Sequence, residues 1–241
     1  MADFQYHLIL YGVIMSKKTV VMLGATGAVG NHCALVLSEH PEVKKLTLLG
    51  RRIASNIQAD IVNQHIIDIF NPDSYRHLLT GHNTAVCTLG VGSPTQVSQQ
   101  AFIKIDRDAV LAFASACKEA GVLEFALLSS IGANAKSKNY YMRTKGELEQ
   151  GLQALGFTRL SLFHPSMILT PENRYGLSQA IALRVCKLIN PFFFGSASRF
   201  KGIPVAILGQ AIALHVTKPY QAQCNESTQI LHWQDMMDLH Q

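Results

Sequence analysis

Three side chains have the types and spacing to move a proton to or from a carbonyl oxygen: Ser130, Tyr141 and Lys145. The run Tyr141-Met142-Arg143-Thr144-Lys145 sets a phenol and an ammonium four residues apart, hence on one face of a helix. A phenol that titrates at about 10 exchanges protons poorly at neutral pH, and a nearby ammonium favours its phenolate. Ser130, at the end of an apolar run, is placed to hydrogen-bond the same oxygen. Tyr140 is the competing phenol, but the residue four positions on from it is the uncharged Thr144. A lone Tyr-x-x-x-Lys mostly marks a solvated helix face. Its weight here comes from what precedes it.

What precedes it is Val20-Val21-Met22-Leu23-Gly24-Ala25-Thr26-Gly27-Ala28-Val29-Gly30. An apolar run stops at a glycine, turns and opens into an apolar-periodic segment, as at the start of a dinucleotide-binding βαβ unit. Gly24 permits the sharp turn, Gly27 clears the path of a diphosphate, and Gly30 lets helix and strand pack closely. The backbone N–H groups from Thr26 through Ala28 and Val29 then face the phosphates at the positive end of the helix. The spacing is Gly-x-x-Gly-x-x-Gly, not the tighter Gly-x-Gly-x-x-Gly, so an ordinary glycine turn is the competing reading.

The rest of the chain alternates strands with helices. Cys33, Ala34, Val36 and Leu37 share a helical face that His40-Pro41 ends. Val43 and Leu46–Leu49 form strand two, closed by Gly50-Arg51-Arg52. An acid after this strand would bind the adenosine ribose of NAD; two guanidinium groups instead match a 2′-phosphate, which favours NADP. A solvated turn is the alternative for Arg51 and Arg52. His65–Ile69 is expected as strand three. Its Asp68 either caps the turn into Asn71-Pro72-Asp73 or contacts the adenine amino group, and 74–79 is expected to be helical. Thr84–Gly90 is strand four, ending in small residues and followed by Gly92, which suits a backbone passing close to the cofactor. A helix over 105–120 buries Val110, Leu111, Ala114 and Cys117 and is capped by Gly121. Phe125–Ser130 is strand five, a second helix starts near Asn139, and Leu160–Phe163 is strand six. Further on, helices over 175–189 and 205–216 and a strand over 229–232 followed by a short helix with Trp233 are expected. Pro191-Phe192-Phe193-Phe194-Gly195 is either a core plug or an apolar wall for substrate. The pattern predicts one α/β domain, a single Rossmann-type doubly wound parallel sheet over residues 15–241. The stretch 165–241 would form a small C-terminal substrate-side extension.

Composition sets the remaining bounds. The 241 residues are 48% hydrophobic, enough for one sizeable core, and carry a net charge of +5 that suits an anionic ligand. No basic stripe interleaved with aromatics supports nucleic-acid binding. The five cysteines are scattered without a Cys-x-x-Cys pair, and the ten histidines show no ligand spacing. The expectation is reduced thiols in a cytoplasmic protein with no metal and no membrane partner. The apolar run over 8–15 is well short of the roughly 20 residues of a membrane span. Residues 1–14 are expected to be an extension outside the fold. The oligomeric state is open, a homodimer being the form considered.

These motifs, together with Cys87-Thr88-Leu89-Gly90, Leu127-Leu128-Ser129-Ser130-Ile131-Gly132-Ala133 and Tyr141-x-x-x-Lys145-Gly146-Glu147-x-Glu149, resemble the atypical short-chain dehydrogenase/reductases. Within that group they are most similar to the Tat-interacting-protein-like oxidoreductases. The resemblance implies a Rossmann fold with NADP(H), catalytic roles for Ser130, Tyr141 and Lys145, and a contact of Lys145 with the nicotinamide ribose. Asp68, Leu89 and Gly90 would line the adenosine and ribose side. Two departures stand out: many relatives carry Arg-Pro after strand six where this chain has His164-Pro165-Ser166, and the short Ser-to-Tyr segment leaves Ser129 and Ser130 both open as the catalytic serine. The function these observations favour is an NADP(H)-dependent oxidoreductase acting on a small carbonyl or alcohol. A regulator that binds NADP(H) without turnover is the second reading. A nucleotide-sugar epimerase ranks last, because the C-terminal part is small for a sugar-nucleotide pocket.

Overall fold

The computed structural model describes residues 17–92, 97–170, 195–219 and 227–240. Six strands and the helices between them follow in the expected alternation: β1 (Lys18–Leu23), α1 (Ala28–Glu39), β2 (Val43–Gly50), β3 (Val62–Ile66) and β4 (Thr84–Cys87) come first. A long helix α2 runs over 99–119, followed by β5 (Glu124–Leu128), α3 (Tyr140–Ala154) and β6 (Arg159–Phe163). Two short strands, β7 (Ile168–Leu169) and β8 (Ile203–Pro204), pair with each other. Then come α4 (Val205–Thr217), β9 (Thr228–Leu231) and α5 (Trp233–His240).

The main sheet has seven parallel strands in the order β3-β2-β1-β4-β5-β6-β9. Strand direction of travel reverses between β1 and β4, and such a switch point leaves a crevice beyond the strands' C-terminal ends. The pleat sends Val20 and Met22 to one face, where they pack with Cys33, Ala34 and Leu37 of α1 and Leu208, Ala211 and Ile212 of α4. Val21 and Leu23 face the other way, against Val110, Phe113 and Ala114 of α2 and Leu148 and Leu152 of α3. Both faces are covered, which is why the central strands are apolar throughout. The C-terminal stretch is thus more than an extension: α4 completes a helical layer and β9 completes the sheet.

Four local expectations shift. The third strand lies over Val62–Ile66, not His65–Ile69, because this edge strand is polar and half-exposed, while the buried Ile67 and Ile69 follow it. The expected helix over 74–79 is instead two 3-10 turns, Pro72–Ser74 and Arg76–Leu78, the first capped by Asn71. The fourth and fifth strands end three and two residues early, at Cys87 and Leu128, freeing the backbone beyond them for the site. The helix expected over 105–120 begins earlier, at Gln99, where the Ser98 hydroxyl caps Ala101 N. It also changes pitch: Gln99–Ile103 is α-helical, Lys104–Ala109 is π-helical and Val110–Glu119 is α-helical again. The expected N-terminal extension, the helix over 175–189 and the triple-phenylalanine run lie outside the described residues.

Candidate active site

The turn after β1 is built as the glycine spacing requires. Gly24 has φ +102°, and a Cβ there would lie 2.7 Å from both Leu89 N and the Thr88 hydroxyl. A Cβ on Gly30 would lie 2.1 Å from the Gly24 carbonyl oxygen. Thr88 closes the turn from the β4 side, its N–H donating to Leu23 O at 2.9 Å and its hydroxyl to Gly24 O at 3.2 Å. Gly27 is different: an added Cβ would meet only Gly24 O, at 3.3 Å, with open cleft beyond. Gly27 is also the N-cap of α1 and offers no side-chain cap, and no acid sits in the first turn. The first N–H groups of the helix, from Ala28 through Gly30, therefore have no intrahelical acceptor and face an anion-ready space. Gly30→Ala is expected to lower unfolding stability by about 1–3 kcal/mol by overpacking. Gly27→Ala should change stability far less and weaken cofactor binding alone; denaturant melts and calorimetry on the two variants check the contrast.

A cleft of about 180 Å³ opens over this turn. It brings together Gly24, Thr26, Gly27, Arg51, Arg52, Leu89 and Gly90, all singled out from sequence, and adds Ile69 and Thr88. No carboxylate lines it. Arg51 and Arg52 are exposed, and among the described residues neither guanidinium makes a hydrogen bond or ion pair. Asp68 is not part of the lining. Its carboxylate accepts from Phe70 N at 2.9 Å, within the turn that leads to Asn71-Pro72-Asp73.

Tyr141 and Lys145 sit on α3, whose start is fixed by the Asn139 side chain accepting from Tyr141 N and Met142 N. Lys145 lies one turn beyond Tyr141 and is buried, its Nζ 2.9 Å from Oδ1 of Asp106. Asp106 was not legible in the sequence. It lies in the π-helical turn of α2, which rotates it inward, and it is only 2% exposed. Its other oxygen accepts from Val91 N at 2.9 Å, so the carboxylate bridges α3 and the loop after β4. The next residue, Arg107, reaches outward to Glu147 at 2.6 Å, giving α2 and α3 a second ion pair. Burial works against charge on Lys145, but the Asp106 carboxylate and the Tyr141 phenol outweigh it and hold the ammonium above the usual lysine value. Phe102 packs its ring 5.4 Å from that of Tyr141 and edge-on to Tyr140. Below the site, burial pushes the Cys87 thiol up to about 12, leaving it an inert packing group.

The two serines differ. Ser129 is buried and its hydroxyl donates to Oε1 of Glu149, the same oxygen that meets His164 Nε2 at 2.8 Å. Ser130 is half-buried, and its hydroxyl reaches only the neighbouring Ile131 carbonyl, at 3.4 Å. Ser129 is thus committed to a Ser129–Glu149–His164 cluster that ties α3 to the ends of β5 and β6, while Ser130 keeps its hydroxyl available. The histidine after β6, in the place where many relatives carry arginine, is therefore a partner for Glu149. Glu149 was visible in the sequence as the last letter of the Lys-Gly-Glu-x-Glu motif but carried no assigned role.

Among the described residues, no group of three or more His, Cys, Asp and Glu side chains is placed to hold a metal, and no helix is long and apolar enough to cross a membrane. A family model described as NAD(P)H-binding matches residues 24–160. The chain is 32% identical over 227 residues to protein HTATIP2 of Rattus norvegicus, covering 90% of each. It is also 32% identical over 165 residues to the mitochondrial protein FMP52 of Candida albicans, 67% of this chain and 72% of that one. Among solved structures, MoeE5 in complex with UDP-glucose and NAD shares the fold at a TM-score of 0.65 and 14% identity, over 89% of this chain and 76% of that one. L-threonine dehydrogenase from Clostridium difficile does so at 0.63 and 14%, over 90% and 76%. The fungal relatives overturn the cytoplasmic expectation, since several are named as mitochondrial proteins. Buried thiols such as Cys33, Cys87 and Cys117 are shielded by packing and do not identify a compartment. Motifs, sheet order, family match and the rat relative agree: the chain belongs to the NAD(P)H-binding family, in the atypical short-chain dehydrogenase/reductase branch.

Proposed function

We propose that the protein is an NADP(H)-dependent oxidoreductase that interconverts a small carbonyl compound and its alcohol. The chain's own residues fit the coenzyme: an uncapped helix start behind Gly27, a cleft without carboxylates, and two unpaired guanidinium groups at its rim. Arg51 and Arg52 would hold the 2′-phosphate, the turn from Gly24 to Gly30 the diphosphate, and Leu89 and Gly90 the ribose side. When bound, the nicotinamide supplies or accepts the hydride.

Tyr141 moves the accompanying proton, giving it to the carbonyl oxygen in reduction and taking it from the alcohol in oxidation. Ser130 donates a hydrogen bond to that oxygen and steadies it as charge develops. Lys145, kept charged by Asp106, places its ammonium one turn from the Tyr141 phenol and would hold the nicotinamide ribose. Discrimination among carbonyls falls to the stretch 165–241. The observation that carries the reading is the buried Lys145, held one turn from Tyr141 and joined through Asp106 to the loop that follows the cofactor-lining end of β4.

NADPH should bind clearly tighter than NADH in calorimetry, and Arg51→Ala with Arg52→Ala should erase the difference. Equal affinities in the unaltered protein would remove the 2′-phosphate argument. An NADPH-consumption screen over aldehydes, ketones and quinones tests turnover. Tight binding with no consumption would instead favour the NADP(H)-binding regulator.

A further inference from the structure

The segment 51–61, which begins with the two arginines, contains neither helix nor strand. Something other than regular secondary structure must hold it. Gln64, on β3 and in register with Leu48 of β2, spends its whole amide on this task. Its Oε1 accepts from Ala54 N at 2.8 Å, and its Nε2 donates to Ala54 O at 3.1 Å and to Ile57 O at 3.0 Å. Ala54 and Ile57 are themselves buried against the apolar layer under α1. A second clamp comes from the other side. Asn31 of α1 and Asn56 of the segment form a reciprocal amide pair, each Nδ2 donating to the other's Oδ1 at 2.9 Å. Asn31 stands in the second turn of the helix whose start faces the cleft, so this pair links the diphosphate side of the cleft to the arginine side.

We propose that Gln64 and the Asn31–Asn56 pair are specificity-determining positioning residues: they fix the backbone carrying Arg51 and Arg52 and thereby set the preference of the cleft for a 2′-phosphate. The inference rests on the NADP(H) reading above. A free segment would lose backbone and side-chain freedom on closing around a phosphate, and that loss would weaken binding. A segment already fixed by five amide hydrogen bonds loses little. The two dinucleotides differ only in the group the arginines address, so loosening the segment should tell on NADPH and leave NADH almost untouched. Gln64 carries the larger share because its partners are buried backbone groups, whereas the asparagine pair is exposed and competes with water.

The test replaces Gln64 with Met, which keeps the side chain's length and removes its hydrogen bonds, and separately Asn56 with Ala. Calorimetric titration of each variant with NADPH and with NADH should show NADPH affinity falling about tenfold in Gln64→Met and by a smaller factor in Asn56→Ala, with NADH affinity within about twofold of the unaltered protein. Hydrogen exchange without coenzyme should speed up at Ala54 N–H in Gln64→Met. An unchanged NADPH affinity, or a parallel fall for both dinucleotides, would overturn the proposal. Should Gln64→Met fail to fold, the ratio of affinities in the surface variant Asn56→Ala decides alone. Equal NADPH and NADH affinities in the unaltered protein would instead refute the NADP(H) reading on which the proposal stands.

Discussion

Tyr141→Phe is expected to lower turnover of any carbonyl found in the consumption screen by about 10²–10⁴-fold, the usual contribution of a positioned proton donor. NADPH affinity should stay as it was. The substitution removes one oxygen and keeps the ring, so the packing of Tyr141 against Phe102 is preserved and fold damage is not an available explanation. Tyr140→Phe is the matched control. Its i+4 neighbour is Thr144, whose hydroxyl donates back to the Tyr140 carbonyl, so the place that Lys145 takes one turn beyond Tyr141 is held for Tyr140 by an uncharged side chain. Unchanged turnover in Tyr141→Phe, read in steady-state kinetics, would mean that the Tyr-Lys pair is incidental to the chemistry.

Asp106→Ala should have the largest effect on stability. It strands a buried ammonium, and removing one partner of a buried pair typically costs about 3–5 kcal/mol. The pH dependence has a definite sign. Lys145 is held above its ordinary value of 10.5, so the ion pair's contribution is full below that pH and is lost as pH rises through the higher folded-state value. The unaltered protein should therefore lose stability in the alkaline range above 10.5. In Asp106→Ala the unpaired, buried amine is pushed the other way, so the deficit should be greatest near neutral pH and shrink as pH rises. Urea unfolding across that range measures both. A deficit that does not change with pH would show that Asp106 acts through packing rather than through charge.

The parts of the site that were legible in the sequence are those whose chemistry is local. Gly24 and Gly30 mark a turn because only glycine tolerates the approaches found there, Gly27 keeps the cleft in front of the helix clear, and Tyr141 and Lys145 share a helix face by spacing alone. Arg51 and Arg52 follow an apolar strand directly. Contacts made across the fold were not legible. Asp106 reads as a polar break in an apolar helix, and only the π-helical turn, which no 3.6-residue pattern reveals, aims it at Lys145. Ser129 and Ser130 are equivalent as letters; the pleat at the end of β5 sends one to Glu149 and leaves the other open. The third strand was displaced by three residues because Val62-Asn63-Gln64-His65-Ile66 is an edge strand with little burial, and its polar Gln64 serves the neighbouring loop.

In the proposed reaction, NADP(H) bound over the glycine turn exchanges hydride with a substrate whose oxygen is served by Tyr141. The most direct measurement supplies NADPH carrying deuterium at the transferable C4 position and follows the label by mass spectrometry over a panel of aldehydes and ketones. Deuterium is expected on the carbinol carbon of at least one product, at a rate that collapses in Tyr141→Phe. NADPH held tightly in the cleft, with its label never leaving C4 for any carbonyl in the panel, would contradict it.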